Sequence, residues 1–338
     1  MEVEFHYCSS PINTVLYQWM GQSSSSAKAR TTQSRPNIED IRSKRVSFFE
    51  KELKRQQALI TRLEKIQVQY HGLDDESSTL IMNKGVSTPY NCAQHLSELL
   101  MKQTVVAEVN GDLWDMHRPL QEDCSLKFFP IKAQDSQQAY LVNKTFWRSC
   151  SFLLGAVVED AFQDDISVVL HSFPSANVRS GSFVYDVQLG LDAWKPSLND
   201  LRVFAGAFCK FTGKNHSIHR LDISPSLALA MFEDNTFKTE QIPQIAASSN
   251  SGQTVTVYRV GNHIDISRGP MISSTGLIGR FSLASVHKLH GGLYRFQGVA
   301  LPSDLFLNPF AFGILESRAS KLNPARIPEI PSKAEITI

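Results

Sequence analysis

The sequence predicts an α+β protein in which one long helix precedes a small mixed unit and a larger one. Three observations lead there. The 338 residues exceed what a single domain of roughly 100–200 residues uses. Apolar residues recur at helical spacing in a few stretches whose starts carry capping residues. Between them lie short runs rich in β-branched and aromatic residues, in an order that is not strict strand–helix alternation, so a parallel doubly wound sheet is not indicated. A composition of 42% hydrophobic and 20% charged residues belongs to a folded globular chain. The 34 Lys and Arg against 33 Asp and Glu leave a net charge of +1, which excludes a protein that coats nucleic acid through overall charge. RNA contact would have to come from a local patch.

Residues 1–36 hold no acid from Phe5 onward and carry a serine run, Ser23 to Ser26, before Lys28, Arg30 and Arg35. That composition fits a mitochondrial presequence or a disordered tail; Glu2 and Glu4 count against the presequence. From Pro36 the pattern changes. Glu39 and Asp40 stand where a helix start favours negative charge, and a helix is expected over residues 37–64. Val46, Phe49, Leu53 and Ile60 fall on one stripe, with Lys44, Lys51, Arg55 and Arg62 about 180° away. Those four cations are either a solvated face or a ridge that tracks RNA phosphates, and they are the candidate RNA contacts.

Residues 65–132 read as a small unit: strands at Ile66 to Tyr70, Leu80 to Met82, Val105 to Val109, Leu113 to Trp114 and Ser125 to Phe129. Asn110-Gly111 is a strong hairpin signal, and Thr88-Pro89 opens a helix through about Met101. Two strands, a helix and further strands outline a β-grasp. Asp135 to Asn143 reads as a polar linker. The larger unit, residues 139–301, has a helix from Thr145 to Phe162, strands at Ser167 to Leu170 and Ser182 to Leu189, and helices at Ser197 to Phe211 and Pro225 to Asp234. Further strands follow at Thr254 to Val260, His263 to Ile266 and Phe281 to Val286. Residues 302–338 supply a short helix, Leu305 to Arg318, and a tail with Pro324, Pro328 and Pro331 expected to be disordered.

Five cysteines, odd in number and without a C-x-x-C pair, indicate neither a disulfide framework nor a zinc knuckle. His216 with His219, near Cys209, and His287 with His290 have metal-like spacing but no second local ligand pair, so loop histidines are expected there. Cys150 reads as a small buried hydrophobe. Trp114, Trp147, Phe183 and Tyr185 read as core rather than base-stacking platforms. No apolar run reaches the roughly 20 residues of a membrane helix, and no phosphate-binding P-loop motif occurs. No cofactor and no small-molecule substrate are expected.

Four groups of residues, in order, carry a resemblance. They are Asn83-Lys84-Gly85 with Ser87-Thr88-Pro89, Phe146-Trp147-Arg148-Ser149-Cys150 running on to Leu154, Ser182 to Asp186, and Gly261 to Met271 followed by Ser274-Thr275-Gly276. Over about residues 65–301 the chain resembles the N-terminal half of threonyl-tRNA synthetases, a TGS domain followed by the domain that hydrolyses mischarged tRNA. The resemblance implies that this second domain's site would be built from an H-x-x-x-H helix and a C-R-G-P-H loop. Here the matching positions hold Arg148, Phe152, Ser267 and Met271. An arginine that does not deprotonate, a ring without donor atoms, a hydroxyl without a base and a weak thioether cannot do that chemistry. Asp265, at an acidic position of that pocket, reads as a backbone-capping residue. The 338 residues hold no aminoacylation core, so tRNA charging is not expected.

The losses, with Tyr90, His95-Leu96-Ser97, Trp114-Asp115-Met116, Tyr185-Asp186-Val187 and Arg295 to Val299, make the chain similar to a family of synthetase-derived proteins of the mitochondrial large ribosomal subunit. That resemblance implies a non-catalytic component in the mitochondrial matrix, touching ribosomal RNA and other mitochondrial ribosomal proteins. Two rivals remain: a free-standing deacylase of mischarged tRNA, and a ligand sensor using the TGS fold.

Overall fold

A computed structural model describes residues 37–72, 77–132, 135–191, 194–249 and 253–327. The presequence-or-tail expectation for residues 1–36, and the end of the proline-bearing tail from residue 328, lie outside the described residues. The architecture is α+β. Helix α1 (Ile38–Ala58) starts where Asn37 Oδ1 accepts the Glu39 amide at 3.1 Å, and Glu39 and Asp40 occupy the first turn, where the helix dipole favours acids. It stops earlier than expected. Leu59 and Ile60 donate to Gln56 and Gln57 carbonyls in a tightened turn, and Ile60 leaves the apolar stripe to face Gly85. Arg62 is therefore not on the helix, which corrects its place on the cationic line.

The small unit is a five-stranded sheet in the order β2-β1-β5-β3-β4. Its strands are β1 (Lys65–His71), β2 (Ser77–Asn83), β3 (Thr104–Val109), β4 (Asp112–Trp114) and β5 (Cys124–Pro130). β1 runs parallel to β5, pairing Val68 with Cys124, and all other neighbours are antiparallel. The β3–β4 hairpin turns on Asn110 (φ 51) and Gly111 (φ 90), the two positive φ angles such a turn needs. One expected helix is two, α2 (Pro89–Leu96) and α3 (Glu98–Gln103). Ser97 divides them: it is extended (φ −164, ψ 135) so that its hydroxyl can cap the Leu100 amide. Val68, Cys92, Ala93 and Leu126 form the core beneath.

The larger unit begins with α4 (Ser136–Asp160), where Asp135 caps Gln137 and Gln138. The stretch read as a linker is thus the first two turns of the helix; its polar residues face outward before the chain dives into the core. α4 packs with a four-stranded antiparallel sheet, β11-β12-β7-β6, made of β6 (Val168–Ser172), β7 (Phe183–Leu189), β11 (Ile278–Lys288) and β12 (Leu293–Pro302). Helix α5 (Leu198–Thr212) lies against β11, where the Phe208 and Phe281 rings stack at 3.7 Å. A second sheet, β10-β9-β8, contains β8 (Ile218–Ile223), β9 (Val255–Val260) and β10 (His263–Ile266). Helices α6 (Pro225–Met231) and α7 (Thr236–Ala247) join its strands.

β8, α7 and β12 were not expected as elements, and β12 shows why. Its Arg295 and Gln297 break the apolar pattern of a central strand, yet both are fully buried. Arg295 pairs with Asp186 at 2.7 Å and donates to the Asn323 and Ala325 carbonyls; Gln297 donates to Ala319 and Lys321 carbonyls. The C-terminal segment satisfies these groups, so the expected disorder after the last helix is corrected as far as residue 327. That helix, α8, spans Pro309–Ala319 and starts later than expected because Asn308 caps it. Trp147, Phe183, Tyr185 and Cys150 are core, with burial pushing the Cys150 thiol up. Trp114 is half-buried under the Arg118 guanidinium at 3.6 Å.

Gly155 is where α4 meets β7: a Cβ there would lie 2.5 Å from the Tyr185 ring. Alanine normally favours a helix interior over glycine by about 1 kcal/mol. Gly155→Ala is expected to reverse that sign, lowering stability by about 1–3 kcal/mol through overpacking, read as a lower urea midpoint with an unchanged slope.

Candidate functional site

The four positions singled out in the sequence lie on α4 and on the loop after β10. Arg148 Nη1 donates to the Pro270 carbonyl at 3.0 Å. Ser149, the next residue of α4, accepts the Ile272 amide at 2.9 Å and points its hydroxyl at the Met271 sulfur at 3.5 Å. Phe152, one turn on, is fully buried, with its ring 6.4 Å from Tyr258 and 5.2 Å from His263. These contacts bring Arg148, Phe152 and Met271 to one helix–loop seam. Ser267 is held differently: its amide donates to Thr256 O, and its Oγ accepts the Gly269 amide at 3.4 Å. Its hydroxyl serves the loop backbone.

The seam is filled from two sides. Tyr258 of β9 points its hydroxyl at Gly269 (φ 66) so closely that a Cβ there would lie 1.7 Å away; only glycine fits. That hydroxyl donates to Asp115, at 3.0 Å from Oδ1 and 2.9 Å from Oδ2. Asp115 comes from the small unit, just past β4, and is 4% exposed. It also accepts the Met271 amide at 2.8 Å and faces Arg220 Nη1 at 3.2 Å. Burial, and then the Asp115 charge, push the Tyr258 phenol well above its ordinary range. Burial opposes the Arg220 charge, but Tyr258, Asp115 and Asp222 together raise its pKa. Arg148 is lowered chiefly by burial. The hydroxyls, the carboxylate and the loop amides named above are thus tied to other protein groups, while Arg220 Nε and His263 Nε2 are buried without a partner among the described residues: a locked joint, in which none of the hydroxyls named is hydrogen-bonded to an imidazole base.

His117 extends the joint. Its Nε2–H donates to Ser273 O at 3.1 Å, and its ring stands between Tyr90 at 4.6 Å and His219 at 5.4 Å. His219 therefore stacks in an aromatic row. Among the described residues no group of three or more His, Cys, Asp or Glu side chains is arranged to hold a metal ion.

Comparison with known proteins places the chain. A family model for the TGS domain matches residues 75–129. The large ribosomal subunit protein mL39 of Drosophila melanogaster is 45% identical over 294 residues, covering 85% of this chain and 86% of that protein. This chain belongs to the mL39 family. Threonine–tRNA ligases match at lower identity and over a fraction of their length. The mitochondrial enzyme of Mus musculus is 34% identical over 58% of this chain and 25% of its own length, and a cytoplasmic enzyme of Dictyostelium discoideum 29% identical over 65% and 29%. The chain spans less than a third of these ligases.

In this mL39-family chain the basic helix divides its cations between two jobs. Lys44 pairs with Glu233 of the α6–α7 turn, and Arg55 makes a two-pronged pair with Glu52. Lys51 is exposed beside Lys54, Ser43, Ser47 and Asn262 around a shallow hollow also bordered by Glu50. Arg42 and Arg45, which the sequence reading missed, turn inward. Arg45 reaches Glu159 at 3.1 Å and Asp234 at 2.6 Å, and Arg42 reaches Asp160 at 2.7 Å. His263 Nδ1 donates to Glu159 at 2.9 Å. Burial alone would raise the Glu159 carboxyl, but the hydrogen bond from His263 and the charges of Arg45 and Arg42 outweigh it and hold it far below the ordinary range. Asp265 does cap the Ile266 amide, at 2.7 Å, and it also pairs with buried Lys238 at 2.5 Å and accepts from the Tyr185 hydroxyl. The signal for Arg42 and Arg45 was their spacing from Phe49, which is helical, so arginines and ring share the packing face.

Two outcomes follow from the joint. Asp115→Ala is expected to cost roughly 3 kcal/mol, because it takes the acceptor from the buried Tyr258 hydroxyl and Met271 amide and leaves the Arg220 guanidinium with Asp222 alone as its ionic partner, while Asp115→Asn costs less; chemical denaturation checks both. Burial and then the His219 charge pull the His117 pKa from 6.5 down to about 4. A folded-state value below the unfolded one means its contribution is complete above pH 6.5 and is lost as the pH falls through about 4. Melting midpoints are therefore expected to drop across that window, less steeply in His117→Gln.

Proposed function

We propose that the chain is a non-catalytic structural component of the large subunit of the mitochondrial ribosome, working in the matrix against ribosomal RNA and neighbouring ribosomal proteins. It is not an enzyme. The observation that supports this reading is the filled seam: Phe152, Tyr258 and Asp115 are buried beside Met271 and its loop, and Ser267 spends its hydroxyl on the loop backbone. Family membership supports the ribosomal part. In this reading Arg148, Phe152, Ser267 and Met271 are the degenerate remains of a deacylation site, and residues 65–132 and 139–301 are its two inherited domains, flanked by the basic helix and the C-terminal segment.

RNA contact is assigned to Lys44, Lys51, Arg55 and Arg62. Lys51 and Arg62, both exposed, carry most of it; Lys44 and Arg55 share their charge with Glu233 and Glu52. Phosphate contacts of this kind position a protein without reading sequence.

The tagged protein is expected to co-sediment with the mitochondrial large subunit and to be released by salt. Charge reversal at all four cations should weaken that association without unfolding the protein, the melting midpoint falling only slightly as the Lys44 and Arg55 reversals set acids against Glu233 and Glu52, with Lys51→Glu the strongest single variant. Sedimentation as a free matrix monomer would refute the reading. So would turnover of Ser-tRNA that Ser267→Ala abolishes, because a free-standing deacylase would then be the better description.

A further inference from the structure

The last helix does not bury what its sequence offers. Over its first seven residues α8 carries Pro309, Phe310, Ala311, Phe312, Ile314 and Leu315 around a single glycine. A helix apolar on all sides belongs in an interior. Among the described residues only one face is covered: Phe312 and Ala319 pack with Val299 and Leu301 of β12, and the Arg280 guanidinium lies 3.9 Å from the Phe312 ring. The opposite face and its approach stand in solvent. Phe306 is 89% exposed, Phe310 80% and Ile314 56%, with Leu305 and Leu307 exposed beside them. Scattered exposed hydrophobics are ordinary, but five within ten residues are not. Two phenylalanines of roughly 200 Å² each make this an apolar patch of a size that monomers seldom leave open.

Charge says what covers it. From Leu305 to Leu315 no side chain ionises, and the stretch is bracketed by acids, Asp304 and Glu316. Phosphate-rich partners need cations; of the two nearby arginines, Arg318 is bonded to the Arg179 carbonyl at 2.6 Å and Arg280 is laid over the Phe312 ring on the covered face. Anionic membrane surfaces fail for the same reason. A neutral apolar strip between two acids is complementary to an apolar groove with a basic rim, the anatomy of a protein–protein contact with aromatic anchors.

We propose that residues 305–314 dock a second, different protein through such a groove, with Phe306 and Phe310, four residues apart, as the anchors. The partner is a neighbour within the same particle, and in that respect the inference rests on the ribosomal reading above. The anchors bury little of their own surface in this fold, in contrast to Phe312 on the covered face, so docking and folding are separable.

The test places a benzophenone side chain at position 310 of the full chain expressed in cells, isolates mitochondrial large subunits on gradients and irradiates them. A cross-link to one other protein of the particle is expected. A cross-link to ribosomal RNA, to a second copy or to another part of the same chain, or none at all, overturns the proposal. The pair Phe306→Ser with Phe310→Ser is expected to keep the near-ultraviolet circular dichroism of the wild type while its share in the large-subunit fraction falls at least tenfold; an undiminished share overturns it as well. Should the wild-type chain sediment free of ribosomes, the ribosomal reading falls alone. The position-310 cross-link in that free pool then decides docking: a single protein adduct that Phe306→Ser abolishes upholds it, and its absence ends it.

Discussion

A carboxylate buried in the middle of the molecule sets the terms for what surrounds it. Glu159 closes the apolar run of α4 at 5% exposure, and a charge so placed is costly unless it is paired and hydrogen-bonded. Its three partners come from two other elements: Arg42 and Arg45 from α1 and His263 from β10. Arg45 carries the linkage on to Asp234, and Lys238, at the start of α7, closes a second buried pair with Asp265. A helix that precedes both units in sequence is thereby bolted to the heart of the larger one. Ionic pairs of this kind add little net stability over an apolar core, but they tolerate few alternative arrangements, because a single displaced partner strands a charge.

Asp115 does the same work at the junction of the two units. Its carboxylate accepts from Tyr258, Met271 and Arg220, all in the larger unit, so the loop after β4 is held in one place against the α4 seam. His117 adds a bond to Ser273 two residues later. Such an arrangement closes the seam and makes the junction of the two units a rigid joint. The same logic accounts for Gly269, whose missing side chain makes room for the Tyr258 hydroxyl.

Much of the fold was legible because it is local. Asn110-Gly111 demanded a hairpin, Thr88-Pro89 a helix start, and the stripe of Val46, Phe49 and Leu53 a helix with one packed face; each is set by a few neighbouring residues. The errors share a cause as well. β12 was hidden because Arg295 and Gln297 are satisfied by carbonyls some 22 to 30 residues away. The first turns of α4 looked like a linker because their polar side chains face solvent. Arg42 and Arg45 were passed over because nothing near them in sequence announces Glu159. Ser97 split a helix because it preferred to cap the next one.

The sequence by itself determined the fold class, the order of most elements and the chemical poverty of Arg148, Phe152, Ser267 and Met271, since helical and strand periods, turn residues and side-chain chemistry are written in adjacent letters. Only the tertiary structure decided which cations face water and which are consumed inside, that Asp115 seals the seam, and that α8 leaves Phe306 and Phe310 uncovered. Those outcomes depend on what a side chain meets across the fold, where burial makes an unpaired charge intolerable, and no pattern of neighbours along the chain encodes that meeting.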